Sequence, residues 1–271
     1  MSCQTIVVHV DQSRHAEARI RHAARLAARD GAHLVGSAFS GISRHVEAGV
    51  EIIAAQAAER QRGGEEALSC FDTIARSEGV ASYERRFAHD EPAGGLILQA
   101  PYADLVVLSQ TDPDDPAAAH LAGPLPEQVL VGCARPVLLI PSAAHDAAIG
   151  SKVVVAWDGS LEAARAVYCA LPLLRQAQAV ALVLFAPAGA AGRDPGADLA
   201  LYLARHGVPC AVHADPLPID AGEALLSRAA DLAADLMVMG AYGHSRLRET
   251  LLGGVTDTVL ARMTMPVFLA H

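Results

Sequence analysis

Residues 240–260 read GAYGHSRLRETLLGGVTDTVL. Gly240, Gly243, Gly253 and Gly254 leave the backbone bare where its amides can approach another group, and His244, Arg246 and Arg248 lie between the two glycine pairs. Bare amides flanking cationic side chains suit a phosphate-bearing ligand better than a neutral one. Gly253-Gly254 leads into Val255-Thr256, an expected helix start whose free amides and positive dipole end favour an anion, with the Thr256 hydroxyl available as N-cap or phosphate partner. The alternative is that the glycines only build a tight passage from strand to helix.

Other candidate chemistry is sparse. Asp158 closes KVVVAWDGS, where a carboxylate at a strand end could meet a ligand or a metal ion. Ser13 and Ser160 follow at matching places and read as helix N-caps, with Glu17 and Glu162 in the first turns. The twelve histidines fall in no ligand spacing and mostly among surface-type residues, so no metal site is expected; His15 and His22 could share a helix face, and His244 could face phosphates and titrate near neutrality. No nucleophile, base and orienting acid assemble, so no catalytic residue is assigned.

Composition narrows the classes. The net charge of −9, with Lys152 the single lysine, argues against a nucleic-acid partner. Lys152 follows no G-x-x-x-x-G-K loop, which excludes a P-loop nucleotidase. No apolar run approaches the roughly 18 residues of a membrane span, and MSCQTIVVHV enters a strand directly, so a cytoplasmic protein without membrane contact is expected. Cys3, Cys70, Cys133, Cys169 and Cys210 form no C-x-x-C pair and read as small buried residues.

The elements that position the glycine loop are written twice. TIVVHVDQS (5–13) matches KVVVAWDGS (152–160), DLVVLS (104–109) matches DLMVMG (235–240), and ARPVLLIP (134–141) matches TMPVFLAH (264–271). Asp11 and Asp158 stand 147 apart and the later pairs about 130 apart. The first half therefore holds about sixteen extra residues, placed in a long helical stretch over 44–77 whose counterpart is a short helix near 198–205. The linker reads SAAHDAAIGS, 142–151, between expected domains 1–142 and 151–271.

In the second half VVVAW, AVALVLF, VPCAVHA, LMVMG and PVFLA alternate with helical stretches near 160–176, 197–206, 220–233 and 254–262. Short apolar strands separated by helices mean parallel βαβ crossovers, hence α/β domains, each a five-stranded parallel sheet with helices on both faces. For the order 3-2-1-4-5 the binding crevice opens between strands 1 and 4, at Asp158 and Gly240. The segments 134–140 and 265–270 then form sheet edges able to pair between halves, as an intramolecular pseudo-dimer, or between chains, as a homodimer.

G-x-x-G, nine residues, then G-[small]-V-T between a strand and a P-V-apolar strand resembles the ATP-binding motif of the universal stress protein family, as does the repeated V-x-x-x-D-x-S opening strand. The resemblance covers nearly the whole chain, as a tandem two-domain member. It implies flavodoxin-like, adenine nucleotide alpha hydrolase-like domains that bind ATP, or AMP or ADP, with or without Mg²⁺, in a stress response or regulatory role. Carried over by position, Gly240 and Gly243 line the ribose and phosphates. The amides of Gly253, Gly254 and Val255 with the Thr256 hydroxyl hold the phosphates, Asp158 with Ala156 and Trp157 sits by the nucleoside or a metal, and Ala186 touches the base. The sequence departs from the pattern at Gly254, where the family commonly has Ser or Thr.

The first half departs further in SQTDPDDPAAAHLAGPLPEQV. Ser109 and Asp112 replace Gly240 and Gly243, and Pro124 and Pro126 replace Gly254 and Thr256, removing amides. Asp112, Asp114 and Asp115 are expected to repel phosphate. One nucleotide per chain, in the second half, is the expectation; the alternatives are a nucleotide-independent interaction protein and a slow ATP hydrolase acting through Asp158 and a divalent ion.

Overall fold

The computed structural model describes residues 3–41, 50–115, 123–143, 149–186, 195–243 and 254–271, with side chains excepted at 50–57, 186 and 195. The chain divides into two compact units, Met1–Asp146 and Ala147–His271.

In the first unit Asp104 sets the start of the sheet: its carboxylate accepts the amides of Gln4 at 2.8 Å and Thr5 at 3.0 Å. Strand β1 (Thr5–His9) runs from there into helix α1 (Ala16–Asp30), which ends on Gly31 in the left-handed region at φ 68°. Then come β2 (His33–Phe39), α2 (Val50–Ser77), β3 (Ser82–Ala88), α3 (Pro92–Gln99) with a 3₁₀ turn over Ala100–Tyr102, β4 (Leu105–Ser109), α4 (Leu125–Gly132) and β5 (Val137–Ile140). All neighbours pair in parallel, in the order β3-β2-β1-β4-β5.

The second unit repeats the plan. Asp235, the counterpart of Asp104, accepts the amides of Gly150, Ser151 and Lys152 at 2.9–3.1 Å. Its elements are β6 (Lys152–Ala156), α5 (Leu161–Leu174), β7 (Ala179–Ala186), α6 (Pro195–Arg205), β8 (Ala211–Pro216), α7 (Ala221–Asp231), β9 (Leu236–Gly240), α8 (Val255–Arg262) and β10 (Val267–Ala270). They pair in parallel in the order β8-β7-β6-β9-β10, with helices on both faces of the sheet. Two tandem α/β units are what the repeated sequence implied, and the order 3-2-1-4-5 is the one that the family resemblance implied.

The interior strands β4 and β9 are buried at every position but the last, as continuous apolar runs between two helical layers must be. The extra length of the first half lies in α2, at 28 residues against 11 for α6. Two local expectations need correction. Strand β8 begins at Ala211 rather than at Val208, because Val208 is drawn back onto the end of α6, its amide donating to Leu203 O at 2.9 Å. Of the five cysteines only Cys133 is buried; Cys70 is exposed and the others are half-buried, all as free thiols. Among the described histidines His9 and His22 are buried, His89 is exposed and the others are half-buried.

Candidate functional site

The DGS segment after β6 is a constructed turn. Trp157 N donates to Val183 O at 2.9 Å, holding β6 against β7 for one more residue. Asp158 Oδ1 then accepts the Ser160 amide at 2.9 Å across Gly159, whose φ of 79° suits glycine. Ser160 caps α5, its Oγ accepting Ala163 N at 3.1 Å, as expected. Ser13 does not repeat this role. Its hydroxyl donates to Asp11 at 2.6 Å, and α1 starts behind His15, two residues further on than the match with α5 would place it.

Gly240 closes β9, and the next residues turn outward through Tyr242 at φ 57°. Neither Gly240 nor Gly243 has a positive φ, so bare backbone is needed there for space. A Cβ on Gly240 would stand 2.5 Å from Ala163 N, and one on Gly243 would stand 2.6 Å from Glu162 Oε2. The backbone of the first turn of α5 therefore demands glycine at 240, where the tight-passage alternative accounts for its type, while at 243 only the end of the Glu162 side chain stands in the way; both positions still lie on the cavity described next. Thr256 is not an N-cap either. Gly254 occupies that place, extended at φ −61° and ψ 155°, and the buried Thr256 uses its Oγ1 to accept Tyr242 N at 3.3 Å.

These turns enclose a cavity of about 280 Å³. One wall is apolar, built from Val183, Phe185, Leu217, Leu225 and Met239. The other is polar and carries Asp158, Ser160, Gly240, Gly243 and Thr256. Three helices begin on it: α5 behind Ser160, α7 at Ala221 and α8 at Val255. The starts of α5 and α7 are capped by Ser160 and by the Asp220 carboxylate, whereas α8 begins behind Gly254 with no side-chain cap, so its amides and positive dipole end favour an anionic group next to the apolar slot. The only tryptophan of the chain, Trp157, lines the cavity, and its buried Nε1–H has no hydrogen-bond partner among the described residues.

Of the residues singled out in the sequence, Ala156, Trp157, Asp158, Gly240, Gly243, Val255 and Thr256 line this cavity. Gly254 is buried directly before α8, and Ala186 is the last residue of β7, one position past Phe185. His244 and Gly253 lie outside the described residues. Sequence reading missed the apolar wall. Phe185 was within reach as the last large residue of β7, but Leu217, Ala221 and Leu225 come from a loop and helix that carry no motif.

The matching place in the first unit is filled, with only about 50 Å³ left. Arg19, 2% exposed, reaches into it and donates to His9 O at 2.8 Å, Ser109 Oγ at 2.8 Å and Asp11 Oδ1 at 2.7 Å. In the second unit the counterparts of His9 and Arg19 are Ala156 and Ala166. Burial pushes the His9 imidazole down to about 4, against the pull of Asp11, so the 3.5 Å contact between them is not an ion pair at neutral pH. Burial works against ionisation of Asp11, yet Arg19, His9 and the Ser13 hydroxyl outweigh it and hold that carboxyl well below its usual range.

Asp112 and Asp115 do not stand as free repelling charges, as the sequence suggested. Asp112 bonds His15 Nε2 at 2.6 Å and Arg14 Nε at 2.8 Å, contacts that hold its carboxyl down at about 2. Buried Asp115 accepts Arg14 N at 3.0 Å, just before α1. The acids are satisfied inside the unit, and Pro124 and Pro126 at the start of α4 supply no amides.

Comparison with known proteins places these features in a lineage. The model of the universal stress protein family matches residues 3–141 and 203–271. The chain belongs to the universal stress protein family. A universal stress protein of Archaeoglobus fulgidus DSM 4304 shares the architecture at a TM-score of 0.77 and 18% identity, over 100% of this chain and 96% of that one. The functionally unknown protein PA1789 of Pseudomonas aeruginosa PAO1 superposes at 0.63 with 19% identity, over 99% and 92%. Universal stress protein Slr1230 of Synechocystis sp. (strain ATCC 27184 / PCC 6803 / Kazusa) is 45% identical over 47 residues, which is 17% of this chain and 16% of that protein's length. Within this family the present chain keeps an open cavity in its second unit, while the matching place in the first is filled by Arg19.

Proposed function

We propose that this universal stress protein binds one adenine nucleotide per chain, ATP or its AMP or ADP relatives, in the cavity of the second unit, and acts as a nucleotide-responsive regulator. The observation that carries this reading is the 280 Å³ cavity, in which an apolar slot adjoins the uncapped start of α8. A purine fits the Val183, Phe185 and Met239 side, and phosphates fit the amide-bearing start of α8. The unpartnered Trp157 N–H belongs to a site that gains polar contacts on binding. Asp158 could share a Mg²⁺ with phosphate oxygens, since a hard cation takes oxygen ligands and keeps several waters. Arg19 supports assigning no nucleotide to the first unit.

Trp157, the only tryptophan, makes the test direct. Titration with AMP, ADP and ATP, each with and without Mg²⁺, is expected to give a saturable change in its fluorescence together with heat of binding. No fluorescence change, no heat and no thermal shift at millimolar nucleotide would overturn the proposal. A second reading, a nucleotide-independent interaction protein, is favoured by Leu161, Leu217 and Ile219, large apolar residues that are 78%, 60% and fully exposed beside the cavity mouth.

A further inference from the structure

Among the described residues only Ala233 and Tyr242 take a positive φ without being glycine. Ala233 lies just past α7, where a left-handed residue commonly ends a helix. Tyr242, at φ 57°, follows a strand instead, and stands between Gly240 and Gly243, which both line the cavity. A bulky residue keeps that conformation only where its surroundings over-determine it. Four contacts do so here. Ala241 N donates to Ala270 O at 2.9 Å, and Ala241 O accepts from His271 Nδ1 at 2.9 Å. Tyr242 N donates to Thr256 Oγ1 at 3.3 Å, and the Tyr242 ring stands edge-on to the His271 ring, with centroids 6.4 Å apart and planes at 73°. A carbonyl only accepts, so His271 Nδ1 carries a proton. One imidazole thus supplies two of the four contacts, and it is held in turn from α5, where Arg165 NH1 donates to His271 O.

The first unit ties the same two segments with other residues. Gln110, the counterpart of Ala241, accepts Ser142 N at 2.9 Å and Ser142 Oγ at 3.1 Å, and Pro141 stands in the place of His271. There the tie runs from the side chain after β4 to the segment after β5. In the second unit it runs the other way, from His271 after β10 back to the turn after β9. We infer that His271 is a positioning residue for the cavity: it fixes the turn at Ala241 and Tyr242, and with it the direction in which Gly243 meets a ligand. This rests on the nucleotide reading above and gives that site a residue that holds its wall without lining it. Without the imidazole, Tyr242 loses its ring contact and Ala241 O its donor, so the turn relaxes towards ordinary negative φ and Gly243 is re-aimed.

The test uses the full chain as wild type, His271→Ala and His271→Asn, whose side-chain amide can donate where Nδ1 does. Two quantities are measured well below the denaturation midpoint of each protein: hydrogen exchange of the free chain, and AMP affinity from Trp157 fluorescence and calorimetry. His271→Ala is expected to speed exchange at 241–243 about tenfold, to leave the amides of β6 and β7 within about twofold, and to weaken AMP roughly three- to tenfold, the size of one lost hydrogen bond. His271→Asn should recover most of both losses. Unchanged exchange at 241–243 in His271→Ala, or faster exchange spread evenly over the second unit, overturns the inference, as does an AMP affinity that His271→Ala leaves unaltered. No response of the wild type to AMP, with exchange at 241–243 still faster in His271→Ala, overturns the nucleotide reading while the hold on the turn stands.

Discussion

Arg19 and Ala166 occupy one position of the repeat, and that exchange separates a filled site from an open one. Arg19→Ala should not create a binding site, because it strands Asp11 beside a half-buried void; it should destabilise the chain by about 2–4 kcal/mol in chemical denaturation, the lower part of the range for breaking a buried pair since Asp11 keeps some exposure. His9 gives the same unit a pH dependence. A histidine held neutral to about 4 when folded, but titrating near 6.5 when unfolded, leaves the unfolded chain binding more protons between those values. Stability is therefore full above pH 6.5 and falls on acidification towards 4, with a slope approaching ~1.4 kcal/mol per pH unit from this residue. Asp11, held low, adds a further loss only below the ordinary carboxylate range. The difference between the denaturation midpoints of wild type and His9→Gln should be constant above about pH 6.5 and shift in favour of the variant as the pH falls from there towards 4; curves parallel over the whole range would remove His9 from the account.

At the scale of elements, the strand-to-helix turns respond to substitution according to what each glycine faces. Gly240→Ala sets a methyl against the backbone of α5 at 2.5 Å, which cannot move aside without shifting the helix. It should cost about 1–3 kcal/mol, as overpacking does. Gly243→Ala meets the far end of the Glu162 side chain, which can swing away, and Ser160 Cβ at an ordinary contact distance of 3.4 Å, so stability should change by less than about 0.5 kcal/mol while nucleotide affinity changes with the new position of Glu162. Ser160→Ala should cost about 1 kcal/mol through loss of the α5 cap, measured by thermal or chemical denaturation. The elements were legible from periodicity and repetition because buried parallel strands and crossover helices impose those patterns. Residue roles at their ends were less legible. Ser13 and Ser160 follow the same strand in matched sequence, yet only Ser160 caps a helix, because Arg19 and Asp11 draw the first turn into a different hydrogen-bond set.

At the scale of the molecule, nucleotide binding should be confined to one unit. Hydrogen exchange with saturating nucleotide is expected to slow amides at 157–163, 240–243 and 254–258 and to leave 9–19 and 109–115 unchanged; protection in both units would overturn the one-site reading. Among the described residues no helix is long and apolar enough to cross a membrane.

The sequence by itself determined the doubled α/β plan with parallel sheets, since this follows from apolar periodicity, matched strands and the handedness of crossovers; the strand order, and with it the crevice between strands 1 and 4, came from the family resemblance. The sequence also located the Asp158 and Gly240–Gly243 walls, because short motifs are local. Only the tertiary structure decided what fills each crevice. Whether a glycine serves a ligand or a neighbouring helix, and whether an arginine lies on the surface or lies 2% exposed across a binding site, depends on atoms brought together from residues about a hundred positions apart. Spacing along one chain carries no record of those distances.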